Sequence, residues 1–174
     1  MILSYYFIRK RINQMLGRPV SRKRQFLSLE QAETVLLVFT QKNLQEAEAC
    51  AARLKAKKKK VKQFVYADTP SVGESDRPDR VWCTRKDLDS WAFPRKETEQ
   101  AFLSLKADIL IDLIADEDCL PVRYLELQHD ARMKIGPKRT GGEFYDFSLS
   151  LNQQKEIRYI FDQILFYLQT FRAK

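Results

Sequence analysis

Two short runs do most to limit how this chain can fold: Thr34-Val35-Leu36-Leu37-Val38-Phe39 and Asp108-Ile109-Leu110-Ile111-Asp112-Leu113-Ile114. Each is the length of a strand, and each is apolar almost without interruption rather than alternately. That pattern belongs to a strand with both faces covered, which is how parallel sheets are built. Further strand-like runs at 61–67, 81–84, 133–135 and 144–149 alternate with helical spacing at 43–58, 95–106, 120–130 and 152–172. Strands separated by helices of this length call for right-handed crossovers. The expectation is an α/β fold: a three-layer Rossmann-like domain on a mostly parallel five- or six-stranded sheet. An order 3-2-1-4-5 would open a crevice between the first and fourth strands.

The 174 residues suit a single body, and 44% hydrophobic content is enough for a core, so general disorder is excluded. Charge is distributed unevenly. Residues 1–29 hold Arg9, Lys10, Arg11, Arg18, Arg22, Lys23 and Arg24 with no acid, and so supply seven of the net eight positive charges. The chain therefore divides into a basic helical arm and linker, 1–29, and a nearly neutral body, 30–174. Within the arm, Tyr5, Ile8, Ile12, Met15 and Leu16 share one face of a helix over 1–16, stopped by Gly17 and Pro19.

A concentrated basic segment points to an anionic partner. Its cations suit phosphates and Tyr5, Tyr6 and Phe7 suit base stacking, which describes RNA or a ribonucleoprotein surface. The same residues fit a helix lying on an anionic membrane surface, and they also fit a solvated helix packed on the body. No apolar run approaches the ~18 residues of a membrane span. The apolar stretch 2–8 precedes the positive charges and has no cleavage site, unlike a signal peptide. A cytoplasmic setting, or one peripheral to the inner membrane, is expected.

The crevice is the second candidate. The turn after the first strand is Thr40-Gln41-Lys42-Asn43-Leu44, without the glycines that let a backbone cradle phosphate. Thr40, Lys42 and Asn43 would face Asp112, Asp116, Glu117 and Asp118. Four such acids can hold magnesium or move protons; equally, they make a solvated turn with Asp118 capping the next helix. Asn43 is placed to cap the helix over 43–58, and Lys57–Lys60 to close it. The loop 134–142, with Gly136, Lys138, Arg139, Gly141 and Gly142, reads as an anion nest or as an exposed connection, and it lacks P-loop spacing.

His129, the single histidine, has no partner set by spacing. Cys50, Cys83 and Cys119 form no zinc pattern and read as structural thiols. No metal and no cofactor is expected.

The run Ala107–Leu113, then Tyr124-Leu125, Ala131-Arg132-Met133-Lys134-Ile135-Gly136 and Phe144-Tyr145-Asp146-Phe147 resembles a family of small uncharacterised bacterial proteins over most of the chain. About thirty residues also resemble the N-terminal half of the heptosyltransferases. That likeness implies shared Rossmann-like architecture. The glycine–aspartate turn that supplies those enzymes with a catalytic acid is replaced by Thr40-Gln41-Lys42-Asn43. The expectation is thus a non-catalytic α/β protein whose basic arm binds RNA or a ribonucleoprotein. The alternatives are peripheral membrane attachment, or a degenerate glycosyltransferase-like domain contacting a ligand through Lys42, Asn43, Asp112 and Asp116.

Overall fold

The computed structural model describes residues 2–18, 21–68, 77–115, 119–140, 144–152 and 156–171. Six strands form one sheet: β1 (Thr34–Thr40), β2 (Lys60–Ala67), β3 (Arg80–Thr84), β4 (Ile109–Asp112), β5 (Met133–Pro137) and β6 (Phe147–Leu149). Their order is β3-β2-β1-β4-β5-β6, and every pairing is parallel. The chain thus walks outward from β1 to β3, crosses back, and walks outward again from β4 to β6. Between β1 and β4 the connections diverge, which opens a crevice at the carboxyl ends of these strands.

Strand alternation sends Val35, Leu37 and Phe39 to one face of the sheet and Leu36 and Val38 to the other. Helices α2 (Leu44–Ala56) and α5 (Ile157–Thr170) cover the first face through Ala47, Cys50, Leu54, Ile160, Phe161 and Ile164. Helices α3 (Lys96–Leu103) and α4 (Leu120–Gln128) cover the second through Phe102, Val122 and Leu125. Helix α1 (Ile2–Gly17) lies outside this layer, with Ile8 and Ile12 buried against Leu120 and Leu127 of α4.

Three local expectations change. Asn43 makes no side-chain cap, because a 3-10 turn at Gln41–Asn43 already runs into α2. The last strand is Phe147–Leu149 rather than 144–149, because Tyr145 turns into the interior. In the same stretch, Asp146 accepts the Lys134 backbone N–H at 2.8 Å. The last helix covers Ile157–Thr170, since Glu156 is extended; residues 153–155 and 172–174 lie outside the described residues.

The lysine run ends α2 through its backbone as well as its charge. Lys58 N–H donates to Lys55 C=O at 2.9 Å and Lys59 N–H to Leu54 C=O at 3.1 Å, a Schellman closure. The closure requires Lys58 at φ 62°, a left-handed conformation that a side chain resists. Lys58→Gly should therefore stabilise the protein by roughly 0.5–1 kcal/mol in urea denaturation, the relief being partly offset by glycine's greater unfolded entropy. An unchanged midpoint would show that no strain resides there.

Candidate functional site

The crevice has a volume of about 1250 Å³ and is walled by the ends of successive strands. Thr40, Gln41 and Lys42 come from β1 and its turn, Tyr66 and Asp68 from β2 and its exit, and Arg85 from the end of β3. Ile114 and Ala115 follow β4, Pro137 ends β5, and Lys138, Arg139 and Thr140 follow it. Tyr5 of α1 reaches the same rim, which explains why it is 40% exposed although it shares a face with buried Ile8 and Ile12.

Four cations therefore line the crevice against one acid, Asp68, among the described residues. Lys42 stands on the wall, whereas Asn43 does not line it. Asp116, Glu117 and Asp118 lie outside the described residues, as do Gly141 and Gly142. Thr40 Oγ1 is sealed from solvent and has no hydrogen-bond partner among the described residues.

Asp112 is not on the crevice surface. It sits at the end of β4 with no exposure. Its Oδ2 accepts from Arg139 Nη2 and from the Tyr145 hydroxyl, both at 2.5 Å, and its Oδ1 accepts from the Ile114 backbone N–H at 2.7 Å. Arg139 also donates to Ile114 C=O at 2.8 Å, which ties the loop after β5 to the exit of β4. Burial, the largest single influence, opposes the guanidinium charge, but Asp112, Tyr145 and Glu126 together outweigh it and raise the Arg139 pKa.

Tyr145 OH also meets Glu126 Oε2 at 3.0 Å. The phenol has one proton for these two carboxyl acceptors, and two negative charges held around it in a buried site are costly. The electrostatics agree: burial, and next the Asp112 charge, push Glu126 well above the ordinary carboxylate range. Lys134 donates to Glu126 C=O at 2.7 Å, and burial lowers its ammonium pKa to about 8. This polar network is a floor that fixes where Lys138 and Thr140 enter the crevice.

The arm cations divide into two groups. Arg22 grips both Asp146 oxygens at 2.8 Å and the Ala131 and Arg132 carbonyls at 3.0 Å, and Arg24 Nε reaches Asp146 at 2.7 Å. These two hold the linker to the body, and Leu27 and Leu29 enter the main core. Arg9, Lys10, Arg11, Arg18 and Lys23 are exposed.

Lys10 and Arg11 share a groove of about 460 Å³ with Phe7, Gln14, Trp91 and Phe93. Phe7 meets Trp91 edge to face at 4.8 Å, and Tyr6 meets Phe7 at 5.5 Å. Trp91 is held in place by its loop: Asp89 Oδ1 accepts from the Trp91 and Phe93 backbone N–H groups at 2.8 and 3.0 Å, with Ala92 at φ 65°.

His129 is fully buried. Its Nε2 bonds Leu105 C=O at 2.9 Å and its Nδ1 accepts from Ala131 N–H at 3.0 Å, so the ring is neutral, and burial lowers its pKa to about 4. It joins α4 to the chain after α3 and lines neither the crevice nor the groove beside α1. Burial raises the thiols of Cys50 to about 11, of Cys83 to about 12, and of Cys119 well above its ordinary value. None is poised as a nucleophile.

Sequence reasoning passed over Arg85, Tyr145, Glu126 and Trp91. Arg85 directly follows a strand, and strand carboxyl ends are where crevices form, so that signal was present. Trp91, an apolar ring among Asp89 and Ser90, was equally conspicuous. The pairing of Tyr145 and Glu126 with Asp112 left no local trace.

Among the described residues no helix is long and apolar enough to cross a membrane, and no three potential metal ligands come together. Fold and crevice define an open, doubly wound α/β protein with a cleft at its topological switch point. More particularly, the chain belongs to a family of unknown function, DUF6913, whose model matches residues 5–171. No curated protein and no solved structure matches it.

Proposed function

We propose that the outward face of α1, together with the Trp91 loop, binds single-stranded RNA, alone or within a ribonucleoprotein. The observation that carries this is the interleaving of exposed rings with cations: Tyr6 at 59%, Phe7 at 43% and Trp91 at 48% exposure beside Lys10 and Arg11. Single strands are held in this manner, with bases stacked on aromatic faces and phosphates met by lysine and arginine. The Asp89 turn and the packing of α1 on α4 preset the geometry, which lowers the entropy lost on binding.

Membrane attachment is less well supported by the same helix. An interfacial helix sinks a continuous apolar face into lipid. Here that face, Ile8 and Ile12, is buried on α4, and what remains outside mixes cations with rings.

Binding of a short single-stranded RNA should weaken steeply with salt. Lys10→Ala/Arg11→Ala should flatten the log–log salt slope by about 1.4, at ~0.7 per phosphate contact for single strands. Trp91→Ala should cost about 1–3 kcal/mol with little change in slope. Absence of RNA affinity at low salt removes the proposal. Recovery on anionic but not neutral vesicles, with no RNA binding, would favour the membrane instead.

A further inference from the structure

We propose a second site, independent of the α1 face: the crevice at the carboxyl ends of β1–β5 binds a nucleoside phosphate, its phosphate held by side-chain cations instead of a glycine-rich backbone turn. The observation is the convergence of Lys42, Arg85, Lys138 and Arg139 from four separate connections onto one cavity. Solvated lysines and arginines ordinarily spread apart, because like charges in one concavity repel. Here the topology gathers them where the strand order reverses, and the Asp112–Arg139 bond anchors one arc of the wall.

Arg139 is committed to that bond and contributes charge from below. Arg85 and Lys138 are exposed and reach the opening. They come from opposite sides of the reversal, Arg85 after β3 and Lys138 after β5, four strand positions apart at roughly 4.8 Å each, so a ligand of nucleotide length rather than a single phosphate could meet both.

The cavity also argues for more than a bare anion. At about 1250 Å³ it exceeds what phosphate fills and suits a ligand of nucleotide size. The phenol ring of Tyr5, 40% exposed, and the partly exposed Leu151 line it beside the cations, offering apolar surface to a base.

The full-length protein can be titrated calorimetrically with ADP, GDP and UDP, and with inorganic phosphate and the matching uncharged nucleosides. At least one diphosphate should bind at sub-millimolar concentration and raise the melting temperature. Phosphate and nucleoside alone should each bind about tenfold or more weakly. Arg85→Ala/Lys138→Ala, two exposed positions, should weaken the diphosphate roughly tenfold or more while the unliganded melting temperature holds. Lys10→Ala/Arg11→Ala should leave nucleotide binding unchanged, and nucleotide should not displace RNA from the α1 face.

The site is overturned if no diphosphate binds at millimolar concentration, if inorganic phosphate binds as tightly, or if the double variant binds like the parent. Loss of RNA binding in Arg85→Ala/Lys138→Ala, with displacement by nucleotide, would make the crevice part of the RNA surface and sink the separate site. Loss of RNA binding in Lys10→Ala/Arg11→Ala alone leaves it standing, so the two proposals fail by different results.

Discussion

Asp112→Ala is expected to cost on the order of 3–5 kcal/mol, because it strands a charge that has almost no route to water. Arg139 is only 3% exposed at its side chain, and its guanidinium has Asp112 as counter-charge. Removing the carboxylate also takes the acceptor from the Ile114 backbone N–H and from the Tyr145 hydroxyl. Against a total stability of roughly 5–15 kcal/mol, such a loss would shift the urea midpoint far and leave the slope intact. The companion variant Asp112→Ala/Arg139→Met should recover part of the loss, since an apolar side chain needs no partner in that site. A cost under about 1 kcal/mol for Asp112→Ala would mean that water reaches the pair, and the rigid floor beneath the crevice would not exist.

Gly136→Ala should be nearly as damaging, about 2–4 kcal/mol, although it adds a single methyl group. A Cβ there would stand 2.4 Å from Tyr145 Cζ and 2.7 and 2.8 Å from its two neighbouring ring carbons. The ring is buried and its hydroxyl bridges Asp112 and Glu126, so it cannot retreat without breaking those bonds. In a Tyr145→Leu background the added methyl should cost little, giving a strongly non-additive cycle. Equal costs in both backgrounds would place the strain elsewhere. Both substitutions act from beneath the crevice: each moves the segment carrying Lys138 and Thr140 without touching a surface cation.

The parallel, doubly covered sheet was legible because it follows from local features. Continuous apolar runs at 34–39 and 108–114 demand cover on both faces, and helical spacing between strands supplies it. The stripe Ile157, Ile160, Phe161, Ile164, Leu165 and Leu168 is buried as its period implies. Cap and strand boundaries were less legible. The sequence around Asn43 and Phe144 supports the expected cap and strand, and tertiary bonds override it: a 3-10 turn in one case, Tyr145 seeking Asp112 in the other.

The arm shows where one-dimensional reading stops. Arg22 and Arg24 look the same in sequence as Arg9 and Arg11, yet the first pair are bonded to Asp146, and Arg22 is enclosed there at 6% side-chain exposure while Arg9 and Arg11 are exposed. The separation between Arg22 and Asp146 is 124 residues, so no local pattern can report the bond.

The alternation of apolar runs and helical stripes determined a parallel, doubly covered sheet, because each residue's burial there depends on neighbours a few positions away. The same is true of the basic N-terminal segment, whose charge is a sum over residues in sequence. Only the tertiary structure decided which cations hold the body together, that Asp112 is a buried anchor rather than a crevice acid, and that Arg85 and Lys138 line the crevice while Trp91 lines the groove beside α1. Those facts depend on groups far apart in the chain meeting at hydrogen-bond distance in a space closed to water, where the cost of an unpaired charge sets the arrangement.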